Sequence, residues 1–201
     1  MRSLIIGLIT TLILAAIQAY RTRKGKQQNS TALLQAGKLL YPDHQQAFED
    51  FYNLFVTDKK KFVAEKKSIL ENYFFENDEL RPIDIVYIFG DQNKKLVFTD
   101  WRGEENTREI EEFMAQNLNI SPTWTQTDKI RATETEKNQR DGKYIMAILH
   151  AMDQDLGAIG KQLIFVYLGW DAYAYTVVDK ATFKKIMELA PNDFHGTERV
   201  K

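Results

Sequence analysis

The chain of 201 residues contains no cysteine. That excludes a disulfide framework, a thiol nucleophile, an iron–sulfur site, Cys-ligated zinc and a lipoprotein cysteine. It does not separate the inside of a cell from the outside. Proline and glycine are scarce, at 4 and 10 residues, so long structureless stretches are expected only in a linker and a tail. A charge excess is also missing: 27 basic residues face 28 acidic ones, a net of −1. Dedicated nucleic-acid binders usually carry a strong basic surplus, so no nucleic-acid partner is expected. Neither His-x-x-x-His nor His-Glu-x-x-His occurs, and P-loop and dinucleotide-binding glycine fingerprints are lacking. No metal or cofactor is therefore expected. Gly157-x-x-Gly160 reads as a helix stop.

What is present begins with Leu4 to Tyr20, an apolar run of uncharged residues. At about 1.5 Å per helical residue it spans roughly 25 Å, and about 17–25 apolar residues can cross a bilayer. A helix satisfies its own backbone there, and Thr10 and Thr11 can bond back to helix carbonyls. A cleaved signal peptide, cut after Ala16 or Ala19, is the competing reading, and a buried core helix is a third. The length of the run and the cations Arg21, Arg23, Lys24 and Lys26 behind it favour an uncleaved anchor. The same cations outweigh Arg2 and the α-amine, which places residues 21–201 in the cytoplasm. A periplasmic or extracellular domain, or secretion after signal cleavage, is the alternative location.

Behind the anchor (1–20) a basic, polar linker (21–30), a single domain (31–191) and a polar tail (192–201) are expected. Pro42 closes a short helix over 31–40. Phe48, Phe51, Tyr52 and Phe55 recur at helical spacing through about Val56. Thr57 or Asp58 caps a third helix to about Phe75. Ile83–Phe89 and Lys95–Trp101 are rich in β-branched and aromatic residues, and Gly90–Asn93 between them reads as a hairpin turn. A helix follows with Ile110, Phe113, Met114 and Leu118 inward. Residues 121–142 read as part helix or as a functional loop. A helix from Lys143 to about Leu156, a hairpin of Leu163–Leu168 with Ala172–Val178, and a helix capped by Asp179 complete the chain. The class is α+β: a mostly antiparallel four-stranded sheet from two β-hairpins, about six helices, and an N-terminal transmembrane helix.

Candidate chemistry centres on Asp100, Glu104 and Glu105, carboxylates at a strand end beside a helix start. Such groups act as acid and base or bind hard metals when they converge, and Asp153, Asp155 and Asp171 are candidates to join them. Glutamates in a first helical turn also have a purely structural reason, the helix dipole. His150 stands three residues before Asp153, half of a triad without a serine in a Gly-x-Ser-x-Gly context. His44 sits near a cap and His195 in the tail. The lysines Lys59, Lys60, Lys61, Lys66 and Lys67 read as a solvated face, with anionic lipid or phosphate as the sharper alternative. Trp101, Trp170, Asp171 and Tyr173 are candidate interaction residues, beside Trp124 and Tyr175, because exposed aromatics mark interfaces.

The strand end Thr99-Asp100-Trp101 with its acidic helix, and the later Trp170-Asp171-Ala172-Tyr173 and Val177-Val178 before a final helix, form a pattern. Over roughly residues 45–190 it resembles an uncharacterised family of small bacterial α+β domains, which implies a fold and no activity. The expected function is a membrane-tethered, non-enzymatic protein-interaction domain, regulatory or immunity-like, with a protein partner. A small hydrolase or metal-dependent enzyme using the carboxylate cluster is the alternative.

Overall fold

The computed structural model describes residues 29–73, 79–133 and 142–200. The expected anchor over 4–20 lies outside them. Among the described residues no helix is long and apolar enough to cross a membrane.

Helix α1 covers residues 29–40, and a 3-10 turn at Pro42–His44 leads into α2 (Gln45–Thr57). Asp58 accepts the Lys61 amide and starts α3 (Lys59–Glu65), as expected of a cap. The single helix expected to Phe75 breaks at Lys66, and α4 (Lys67–Leu70) follows.

The hairpin expected over 83–101 is not formed. Residues Pro82–Gln92 are instead helix α5. Pro82 sits in its first turn, and the Asp84 carboxylate accepts the Arg81 amide at 2.7 Å. Every residue from Ile83 to Gly90 is buried. A helix enclosed on all sides needs no polar face, so its apolar run looks the same as that of a central strand.

The sheet orders its strands β1 (Val97–Asp100), β3 (Ala172–Asp179), β2 (Lys161–Val166), β4 (Phe194–His195), all antiparallel. The β2–β3 hairpin is as expected, paired from Lys161↔Asp179 to Val166↔Ala174. β1 finds β3 rather than a neighbour in sequence. The fourth strand comes from residues expected to be a polar tail, where Phe194 and Val200 are buried.

Helices cover both faces. On one, α1, α2, α3, α5 and α9 (Lys180–Leu189) enclose an aromatic core including Tyr41, Phe48, Phe62 and Phe89. On the other, α6 (Glu109–Asn117) and α8 (Gly142–Ala158) enclose Ile110, Met114, Ile145, Leu149 and Met152. α7 (Thr125–Thr133) packs on α8 and supplies the helix expected within 121–142. The Asp179 side chain accepts the Ala181 and Thr182 amides at 3.1 and 3.0 Å and caps α9.

Candidate functional site

The turn joining β2 to β3 is fastened from below. The Arg81 guanidinium pairs with buried Asp84 at 2.6 Å and donates to the Leu168 carbonyl at 2.8 Å. The first turn of α5 thus holds the chain just before Gly169, whose φ of 73° suits glycine.

Beside this clamp the structure gathers aromatic rings. Trp170 stands edge-on to Tyr87 at 5.3 Å, and Phe98 of β1 lies 6.0 Å from Tyr87 and 6.5 Å from Trp170. Tyr87 is 5 % exposed, whereas Phe98 and Trp170 are 45 % and 40 % exposed. A buried ring therefore supports two exposed ones. Tyr73 adds an edge contact to Tyr87 at 5.8 Å. Burial raises the phenol pKa of both tyrosines above the ordinary value, so both stay neutral.

On the other side of the same turn, toward β4, lies a cavity of about 150 Å³. Its lining includes Phe165, Tyr167, Trp170, Tyr173, His195 and Arg199. The His195 ring stacks on Phe165 at 5.1 Å and 4°, and its Nδ1 lies 2.8 Å from the Gly196 carbonyl oxygen. Burial lowers the imidazole pKa, helped by the Arg199 charge and opposed by the Gly196 bond and Glu198.

The expected interaction residues divide. Trp170 and Tyr173 border the cavity. Asp171 is exposed in the turn, and its carbonyl accepts the Trp101 amide at 3.3 Å. The Trp101 ring turns instead toward Gly142 at the start of α8 and toward Arg102. Trp124 packs half-buried against the α8 core, and Tyr175 is fully buried with its hydroxyl 2.9 Å from that of Thr99.

The candidate carboxylates each serve different partners. Half-buried Asp100 accepts the Arg102 amide and pairs with its guanidinium. Glu104 is buried, accepts the Ile110 amide at 3.0 Å, and meets Arg131 at 2.7 Å. The same guanidinium binds buried Glu111 through Nε and a terminal nitrogen, at 2.8 and 2.7 Å, and donates to the Tyr144 hydroxyl. Burial pushes the Glu104 carboxyl above the usual range, with the Arg131 bonds pulling it back. Glu105 is exposed next to it, and His150 is exposed on α8. Asp153 accepts the Leu163 amide and the Thr197 hydroxyl, tying α8 to β2 and to the 3-10 turn Thr197–Arg199. Asp155 accepts the Gln126 and Thr127 amides and the Thr127 hydroxyl, capping α7 from across the fold. Among the described residues no three His, Asp or Glu side chains are grouped to hold a metal.

The lysines of 59–67 are partly engaged with the domain. Lys59 donates to the Leu80 carbonyl, Lys61 and Lys67 pair with Glu65 and Glu71, and Lys66 lies over the Phe51 ring. His44 stands edge-on to Phe89.

Phe98, Tyr167, His195 and Arg199 were not among the sequence candidates. Phe98 had a signal: strand alternation puts it opposite Val97 and Thr99, on the other face of β1. For the last two the only signal was Phe194 and Val200, apolar residues within a polar ending.

A family model described as a domain of unknown function, DUF6630, matches residues 32–200. No curated protein and no solved structure matches the chain.

Proposed function

The chain belongs to the DUF6630 family, and from that premise we propose that it is a membrane-tethered protein-interaction domain, regulatory or immunity-like. The observation that carries the reading is the exposed pair Phe98 and Trp170 resting on buried Tyr87. Large aromatics of this kind anchor interfaces because they bury much apolar area with few rotatable bonds. Their support matters as much as their exposure. The Arg81 clamp and the Tyr87 ring order them before a partner arrives, which lowers the entropy lost on binding.

The tether rests on the uncharged run Leu4–Tyr20 and the basic residues behind it. It concentrates the domain at the membrane surface, on the cytoplasmic side, so that a partner there meets it at raised effective concentration.

The test is cross-linking of the full-length protein in its own cells, comparing wild type with Phe98→Ser and Trp170→Ser. A discrete adduct in the membrane fraction that both substitutions remove is the expected result. An adduct indifferent to both, or protein released from the membranes by alkaline carbonate, contradicts the proposal.

A further inference from the structure

The cavity beside the turn offers more than apolar contact. Its volume of about 150 Å³ is below the roughly 300–1,000 Å³ of sites that enclose whole small molecules. It has room for about one residue. Its walls are aromatic, from Phe165, Tyr167, Tyr173 and the rim ring Trp170.

Its charge is one-sided. Among the described residues that line it, Arg199 is the only ionic side chain apart from the His195 imidazole, and none is a carboxylate. The guanidinium is exposed and makes one long contact, 3.5 Å to the Pro191 carbonyl, out of five donors. An incoming anion therefore finds donors to spare, while the nearby Glu198 carboxylate accepts the Gly196 amide at 3.2 Å.

The imidazole sets a second requirement. A carbonyl oxygen only accepts, so Nδ1 carries the hydrogen in its bond to Gly196. Burial disfavours the imidazolium. In the neutral ring Nε2 then bears a lone pair, and stacking on Phe165 fixes the ring's plane. The site thus asks for an anion beside Arg199 and a hydrogen-bond donor beside His195.

We infer that this cavity receives the carboxy-terminal residue of the partner polypeptide. A terminal residue holds both groups on one α-carbon: its carboxylate pairs with Arg199 and its amide N–H donates to His195 Nε2. Its side chain packs among the tyrosines, and the preceding residues leave past Trp170 toward Phe98. Capture of a chain end is an established mode of peptide recognition. This inference rests on the interaction reading above and names the part of the partner that enters.

The test titrates full-length protein, with ¹⁵N-labelled histidine, in detergent micelles. The probes are N-acetyl-alanine, N-acetyl-trialanine and the carboxamide of each. Both free acids are expected to shift the His195 resonances saturably, the tripeptide acid at lower concentration, and the amides not at all. R199Q should weaken the acids at least tenfold; Arg199 is exposed, so the fold is expected to survive, with unchanged His44 and His150 resonances as the check. Equal binding of acid and amide, or R199Q without effect, overturns the inference. N-acetyl-alanine binding as tightly as the tripeptide also overturns it, because the site would then suit a small free carboxylate. Phe98 lies outside the cavity, so the two readings fail separately. Loss of the cross-link in F98S with unchanged peptide titration upholds both. A cross-link retained in R199Q together with peptide binding retained removes the inference and leaves the interaction domain.

Discussion

The two faces of the sheet are filled by different physics. On the α5 side the core is aromatic: Tyr41, Phe48, Phe51 and Phe89 lie within 5.2–5.6 Å of one another along a chain of ring contacts. On the α8 side the core is largely aliphatic, and α7 is attached to it by polar groups, Arg131 to Glu104 and Glu111, and Asp155 to Thr127. Apolar contact is indifferent to pH, whereas buried charge is stable only as long as every partner is present and ionised. The proposed interaction surface lies where the aromatic side reaches the sheet edge, at Phe98 and Trp170.

Breaking each side in turn should expose that difference. Phe48→Ala removes a ring in contact with Tyr41, Tyr52 and Phe89 and is expected to cost about 3–5 kcal/mol, the usual range for a buried phenylalanine. Denaturant melts should give the same loss at pH 5 and pH 7. Arg131→Met leaves the buried Glu104 without an ionic partner and Glu111 with only the longer contact to Arg108 at 3.8 Å, and is expected to cost about 3–5 kcal/mol at pH 7. Its loss should shrink at pH 5, as the Glu104 carboxyl, already raised by burial, takes up a proton. Equal pH dependence in the two variants would break the contrast.

A smaller effect concerns His195. Its folded pKa is below the unfolded one, chiefly through burial. The unfolded chain then binds more protons, so stability rises with pH through this region. The contribution is complete above about 6.5, the ordinary histidine value, and is lost as pH falls through the folded pKa. His195→Gln should flatten that slope in urea melts between pH 7 and pH 5. Smallest in stability is Phe98→Ser, expected to cost about 1 kcal/mol or less because the ring is half exposed, while removing partner capture altogether.

Much of this arrangement was legible in the residues themselves. The aromatic stripe of α2, the long α8, the β2–β3 hairpin and the Asp179 cap followed from periodicity and end chemistry. Trp170 stood out from its place in a hairpin turn. The failures have physical causes. Ile83–Phe89 is enclosed on all sides, so its β-branched residues obey packing rather than propensity. β4 has only two residues and no period to read. Asp155 caps a helix that begins about 30 positions earlier, a contact that only the finished fold brings together. The carboxylates grouped by sequence proximity, Asp100, Glu104 and Glu105, part company because the chain turns between β1 and α6, burying one and leaving Glu105 in solvent. The cavity joins a hairpin turn to a chain ending, so neither segment announced it alone.

The most direct measurement of the central claim is site-specific photo-cross-linking in living cells, with the probe placed in the full-length protein at Phe98 or, as a matched control, at exposed His150 on α8. The account predicts a discrete adduct from position 98 that Trp170→Ser abolishes, and none from position 150. Equal adducts from both positions, or an adduct from 98 that survives Trp170→Ser, would contradict it.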